Sequence, residues 1–347
     1  MFGKIIGTGA YVPKRRVSNQ ELTNIIDSSD EWISERTGIR ARHVMENETT
    51  AQMAYEASKS AIQNAGSEIP FFSAKDIDLI IVSSVSSNLI LPNTACYVQE
   101  RLGAVNAMCF DINTACTGFM VAYNTAQSYI NSGWIETALI VAAEGLSKLV
   151  DWTDRETCIL FGDGAGAAVI RKDEKAVFDT VMHADGTGGR ALFMENDFAK
   201  REIPFESENI ENGIEEEKDI NGGNKELVPS DSNYISMDGR EVFRFAIDRV
   251  PKCIKELLQK MDKQVDDIDL FVLHQANERI VSSIAKRVGV DMKKVPINMA
   301  EYGNTSSACI PILLNELVEK GKIKRGDRII MSGFGAGLTW AATYMEF

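Results

Sequence analysis

Long apolar runs are missing from this sequence. The longest, such as residues 79–82 and 138–143, fall far short of the roughly 20 residues that span a bilayer, so no membrane insertion is expected. The opening Met1-Phe-Gly-Lys-Ile-Ile has neither a basic region with a long apolar core nor a small-residue cleavage site, and no export is expected. Cationic charge is short as well: 37 Lys and Arg stand against 50 Asp and Glu, a formal net charge of −13. Such an acidic chain argues against broad nucleic-acid binding, which needs a basic face to neutralise phosphates. Six cysteines, at 96, 109, 116, 158, 253 and 309, include no C-x-x-C pair. With no export signal, they are expected as reduced thiols in a cytoplasmic compartment. The three histidines, His43, His183 and His274, have no paired ligand at metal-binding spacing, and no metal site is expected.

What is present is an α/β pattern. Apolar runs at residues 4–6, 79–85, 138–143, 166–170, 270–274, 328–331 and 340–346 read as strands. Between them, Ile280, Val281, Ile284, Ala285 and Val288 recur at helical spacing before Gly289, and residues 51–65 behave similarly before Gly66. The 347 residues suffice for one large core or two domains. The halves echo one another: Ile77-Asp-Leu-Ile-Ile-Val is answered by Ile268-Asp-Leu-Phe-Val-Leu, and Leu139-Ile-Val-Ala-Ala-Glu-Gly by Ile329-Ile-Met-Ser-Gly-Phe-Gly. From the first Ile-Asp-Leu to Cys116 is 39 residues, and from the second to Asn304 is 36. Two copies of one α/β unit are therefore expected, with Cys116 and Asn304 at roughly corresponding corners. Residues 195–226 hold eleven Asp or Glu against four Lys or Arg, without a clean apolar period, and read as an exposed insertion or loop.

Three residues stand where chemistry is expected. Cys116 lies where a short strand through Phe110-Asp-Ile gives way to a helix; the positive end of the helix dipole there stabilises thiolate, though a structural cysteine also fits. His274 ends the strand Leu270-Phe-Val-Leu-His, at the carboxyl edge where open α/β sheets bind ligands; a core histidine is the alternative. Asn304, in Tyr302-Gly-Asn-Thr-Ser-Ser, is a reactive-site amide or a turn residue. Gly7-Thr-Gly9 lacks the third glycine of a dinucleotide fingerprint. Phe161-Gly-Asp-Gly-Ala-Gly-Ala-Ala lacks the Lys-Ser/Thr of a phosphate loop.

Cys116, His274 and Asn304 together resemble the β-ketoacyl-acyl-carrier-protein synthase III family. The likeness runs nearly end to end, through Ser29-Asp-Glu-Trp-Ile, Arg36-Thr-Gly-Ile, Thr153-Asp-Arg, His183-Ala-Asp-Gly, His274-Gln-Ala-Asn, Gly303-Asn-Thr-Ser and Gly335-Ala-Gly-Leu-Thr-Trp. It implies a thiolase-like fold, two duplicated α/β halves in a five-layer αβαβα arrangement, and a homodimer. Residues 1–174 would form the half carrying Cys116, and residues 175–347 the half carrying His274 and Asn304, with an acidic insertion at about 193–232. The implied reaction joins an acyl-CoA primer to malonyl-acyl carrier protein, with no metal or redox cofactor. Cys116 would carry the acyl group; His274 and Asn304 would stabilise the enolate formed on loss of carbon dioxide; the backbone N–H groups of Cys116 and Ala336 would form the oxyanion hole. The pairing of His with Asn distinguishes this type from elongating synthases with two histidines and from thiolases with a second cysteine.

The same resemblance places Trp32 against the CoA adenine opposite Arg155, with Arg36 near the nucleotide phosphates. It makes Arg240, Arg244 and Arg279 the docking surface for an acidic carrier protein. Leu91 stands where many members have a Phe that reaches across the dimer into the partner's acyl pocket, and a smaller side chain there suits a longer or branched primer. Rival readings are a specialised condensing or acyl-transferring relative in secondary metabolism, a cysteine hydrolase using Cys, His and Asn, and a non-catalytic acyl-CoA binder.

Overall fold

The computed structural model describes residues 1–196 and 233–347; from residue 197 on, the acidic insertion expected at about 193–232 lies outside the described residues. Strands β1 (Phe2–Tyr11), β2 (Leu79–Ser83), β3 (Met108–Ile112), β4 (Thr137–Gly145) and β5 (Asp163–Asp173) form one sheet in the order β1-β5-β4-β2-β3. Strands β6 (Phe178–Ala184), β7 (Leu270–Leu273), β8 (Arg328–Gly335) and β9 (Thr339–Glu346) form a second, ordered β6-β9-β8-β7. Strand directions repeat too. β1/β5 and β5/β4 are antiparallel and β4/β2 parallel, matching β6/β9, β9/β8 and β8/β7 in turn.

The continuous apolar runs form strands buried on both faces, as parallel sheet interiors require. Side chains alternate along each strand. Ile81 and Ile140 enter the core between the two sheets, whereas Ile80, Val82, Leu139 and Val141 enter an outer core. The inner core is filled by helices α4 (Gly118–Asn131) and α7 (Cys309–Glu319), through Phe119, Met120, Ile310 and Leu314 among others. Helices α2 (Thr50–Glu68) and α3 (Thr94–Leu102) cover the first sheet from outside, and α5 (Gly239–Lys260) and α6 (Glu278–Val288) cover the second. The result is a five-layer αβαβα stack. A further helix, α1 (Asp30–Thr37), packs against α6. Among the described residues no helix is long and apolar enough to cross a membrane.

Local departures have physical causes. Helix α2 runs through Gly66 to Glu68 and is closed by the Ile69 N–H on Ala65 O, so Gly66 does not stop it. Gly7 and Gly9 serve packing: a Cβ at Gly7 would lie 2.3 Å from Ala61 O, and one at Gly9 2.3 Å from Ala57 O. Strand β6 escapes sequence patterning because only Val181 is buried, with Met182, His183 and Ala184 exposed and the rest partly buried.

Duplication extends to the corners. Asp78 accepts from the N–H groups of Glu136 and Thr137, and Asp269 accepts from that of Arg328, pinning equivalent strand starts. Ala115 and Ser306, both with positive φ (46° and 49°), open matching short turns, Ala115–Thr117 and Ser306–Ala308. The residue equivalent to Cys116 is thus Ser307, which lies 39 residues after Ile268 as Cys116 does after Ile77. Asn304 sits three residues before that corner.

Candidate active site

Cys116 occupies the turn ahead of α4 and is 6% exposed. β8 ends against it: a Cβ at Gly335 would lie 2.8 Å from Cys116 Cβ and 3.2 Å from its Sγ, so only glycine leaves room for the thiol. Thr117 Oγ1 meets Thr339 Oγ1 at 3.0 Å, tying the turn to β9. Ser306 Oγ donates to Cys116 Sγ at 3.3 Å. Burial pushes the Cys116 thiol up to about 12 and the Glu144 charge adds to this, while the Ser306 hydroxyl and the Cys116 backbone N–H pull it down. In this closed site the thiol is held neutral, contrary to the simple expectation of a thiolate favoured by a helix dipole: α4 begins only at Gly118, and desolvation outweighs the donors.

Asn304 reaches the site by backbone docking. Its N–H donates to Leu160 O at 2.8 Å and its C=O accepts from Gly162 N–H at 3.1 Å. Gly162 is needed there, since a Cβ would lie 2.4 Å from Tyr302 O. This accounts for part of the glycine-rich string Phe161-Gly-Asp-Gly without any phosphate. Asn304 Oδ1 accepts the N–H of Ser306 at 2.9 Å, which leaves its amide NH2 as the donor end.

His274 follows β7, fully buried, with its N–H on Ser332 O at 2.8 Å. Its ring packs edge-on against Phe334, centroids 5.1 Å apart, and Nδ1 lies 2.8 Å from Cys309 Sγ. Burial drags the imidazole down to about 3, so the ring is neutral, with one proton shared between two nitrogens. Ser306, Cys309, Glu144 and Ser307 escaped sequence reading. Glu144 is buried between the halves, accepting from Ser307 Oγ and Ser86 Oγ, each at 2.6 Å, and from Val85 N–H at 3.2 Å. The 39-residue spacing to Ser307 was the one available signal.

The outer residues fall into separate places. Trp32, on α1 after its Ser29 cap, has the guanidinium carbons of Arg36 and Arg155 at 4.6 and 4.9 Å from its ring centroid. Stacking at about 3.5 Å per face means a base between Trp32 and Arg155 needs about 7 Å, so Arg155 must swing out to admit one. Arg240 and Arg244 are exposed on the first turns of α5, which packs beside α6. Arg279 is exposed on α6, but it lines a cleft with Glu35 and Glu278 that dilutes its charge. Ala336 follows Gly335 directly, bringing that peptide to the Cys116 turn. Leu91 is 85% exposed and precedes α3, whose first N–H groups, Thr94 and Ala95, donate to Asp111 on the edge strand β3. Among the described residues no group of three or more His, Cys, Asp or Glu side chains could hold a metal, and all six cysteines are free thiols.

Fold and site define a thiolase-fold acyltransferase of the condensing type. Residues 110–186 match the family model 3-oxoacyl-[acyl-carrier-protein] synthase III, and residues 258–347 match the model of its C-terminal part. The chain is 43% identical over 345 residues to the β-ketoacyl-[acyl-carrier-protein] synthase III of Clostridium acetobutylicum, covering 99% of this chain and 98% of the relative. It resembles the crystal structure of 3-oxoacyl-[acyl-carrier-protein] synthase III from Aquifex aeolicus, with a TM-score of 0.86, 38% identity, and coverage of 99% and 100%. A priming β-ketosynthase of the R1128 polyketide pathway is similar at a TM-score of 0.86 and 35% identity, over 100% of this chain and 96% of that one. The chain belongs to the β-ketoacyl-acyl-carrier-protein synthase III family.

Proposed function

We propose that this enzyme starts fatty acid synthesis by condensing a short acyl-CoA with malonyl-acyl carrier protein, and that Cys116, His274 and Asn304 perform the two half-reactions. Cys116 sulfur attacks the acyl-CoA thioester, CoA leaves carrying the thiol proton, and the acyl group remains on sulfur. Malonyl-carrier protein then enters. Its carboxylate carbon–carbon bond breaks, carbon dioxide leaves, and the electron pair becomes an enolate whose oxygen takes hydrogen bonds from His274 and the Asn304 amide. The α-carbon attacks the acyl-Cys116 carbonyl, and the tetrahedral oxyanion, held by the N–H groups of Cys116 and Ala336, collapses to expel the thiolate. Preorganised donors of this kind are each worth about 3 kcal/mol. Every step uses side chains, backbone and substrates, so the reading assigns no metal or redox cofactor.

The observation that carries this reading is the pairing across the halves: Ser306 and Asn304 hold one corner against Cys116, while His274 is buried as a neutral ring against Cys309. We read Trp32, Arg36 and Arg155 as the CoA nucleotide site, and Arg240 and Arg244, with Arg279, as the carrier contact. The edge of β3, which has no strand partner on its outer side among the described residues, with Val105, Met108, Leu91 and Ile90 exposed nearby, is the surface we assign to a homodimer. Acyl-CoA and carrier-protein substrates suit a cytoplasmic enzyme. The test is a primer series, each acyl-CoA incubated with malonyl-carrier protein and the β-ketoacyl-carrier product measured. Condensation with short primers is expected; restriction to acetyl-CoA would count against the wider pocket inferred from Leu91. Hydrolysed acyl-CoA without product would favour the hydrolase reading.

A further inference from the structure

The neutral His274 ring carries one proton on two nitrogens, and the chemistry depends on which nitrogen holds it. Nδ1 faces Cys309 Sγ at 2.8 Å. Burial raises the Cys309 thiol well above its ordinary range, so its sulfur keeps its proton. That sulfur already accepts a hydrogen bond, from the Gln275 N–H at 3.4 Å. Gln275 is itself clamped, its side-chain amide donating to Leu273 O at 2.8 Å and accepting from Asn298 N–H at 3.0 Å. With a backbone donor fixed on one side of the sulfur, the S–H is left to point at Nδ1. Cys309 opens α7, one turn after Asn304 and Ser306, so the same segment that carries the second donor also orients the first.

We infer that Cys309 is a positioning residue: its thiol donates to Nδ1 of His274, fixing the tautomer with the proton on Nε2, the nitrogen turned away from the sulfur. The opposite tautomer would spend its proton on the sulfur and present a bare Nε2 lone pair. This assignment rests on the reading of His274 as enolate donor given above. Hydroxyl or thiol at position 309 fulfils the role; an apolar side chain of the same size does not.

The test is nitrogen-15 NMR of the full-length enzyme labelled at its histidine rings, of which there are three. Wild type is expected to show His274 with a protonated-type Nε2 and a bare-type Nδ1. C309A and the near-isosteric C309V are expected to lose that pattern to an exchanging or Nδ1–H form, and C309S to restore it; either apolar variant suffices if the other does not fold. Decarboxylation of malonyl-carrier protein should fall roughly tenfold or more in kcat in the apolar variants. KM should be unchanged and acylation of Cys116 spared, with C309S recovering most of the rate. An Nδ1-protonated His274 in wild type, or an unchanged tautomer in both apolar variants, would overturn the assignment. A tautomer that changes as expected with decarboxylation unaffected would uphold the Cys309–His274 link and overturn instead the reading of His274 as enolate donor.

Discussion

Ser306 Oγ donates to Cys116 Sγ across 3.3 Å, a bond that joins the second half of the chain to the cysteine corner of the first. Ser306 and Ala115, the residue before Cys116, share the positive φ of their matching turns, so the duplicated fold brings the two corners face to face. A hydroxyl donor favours thiolate over thiol. S306A is therefore expected to raise the thiol pKa and shift the pH profile of iodoacetamide alkylation upward, slowing alkylation near neutrality about tenfold. An unshifted profile would remove Ser306 from the activation of Cys116.

Glu144 predicts the opposite sign. Burial raises this carboxyl to about 7, and its charge disfavours the Cys116 thiolate. Between the ordinary value of 4.5 and about 7 the folded state binds more protons than the unfolded, so this group lowers stability as pH rises through that window. E144Q should flatten that part of the stability curve and speed alkylation of Cys116 above pH 7. Denaturant unfolding at several pH values checks the first expectation.

For His274 the linkage runs the other way. Its folded value near 3 lies below the ordinary 6.5, so the unfolded chain takes up the proton first and stability falls as pH drops from 6.5 towards 3. H274A should remove this slope. H274A and N304A should each cut decarboxylation about 100- to 1,000-fold, with N304A leaving Cys116 acylation largely intact. A condensation rate that falls with protonation of a group near 6.5 assigned to His274 would contradict the neutral donor.

On α1, W32A should raise KM for acyl-CoA about tenfold, in line with base stacking worth about 1–3 kcal/mol. An acyl-pantetheine primer, lacking the nucleotide, should show no such change. Equal losses with both primers would place Trp32 in the fold and not in nucleotide binding.

On α5, Arg244→Glu should raise KM for malonyl-carrier protein while sparing acyl-CoA loading, and the effect should shrink with added salt. Equal effects on both half-reactions would remove Arg244 from the carrier surface.

Much of the fold was legible because both central sheets are buried on two faces and write themselves as unbroken apolar strings, as at Ile80-Ile-Val and Leu139-Ile-Val. Asp78 and Asp269, each after an isoleucine, mark the repeat. Strand β6 was not legible, being an edge strand with much of its surface exposed. Cys116, His274 and Asn304 stood out through residue type and family motifs. Their partners did not: Ser306, Cys309 and Glu144 are common residues whose roles arise only when segments 144, 274 and 306–309 meet at Cys116. The burial that holds the Cys116 thiol near 12 is likewise a property of the packed site and not of any motif.

In the proposed reaction Cys116 carries the acyl group between two substrates. Intact-protein mass spectrometry after mixing with acetyl-CoA, followed by a chase with malonyl-acyl carrier protein, tests it directly. A single acetyl adduct mapping to Cys116, absent from C116A, is expected to disappear on the chase as an equal amount of β-ketoacyl-carrier protein forms. An adduct on another residue, or one that persists or hydrolyses with no condensation product, would contradict it.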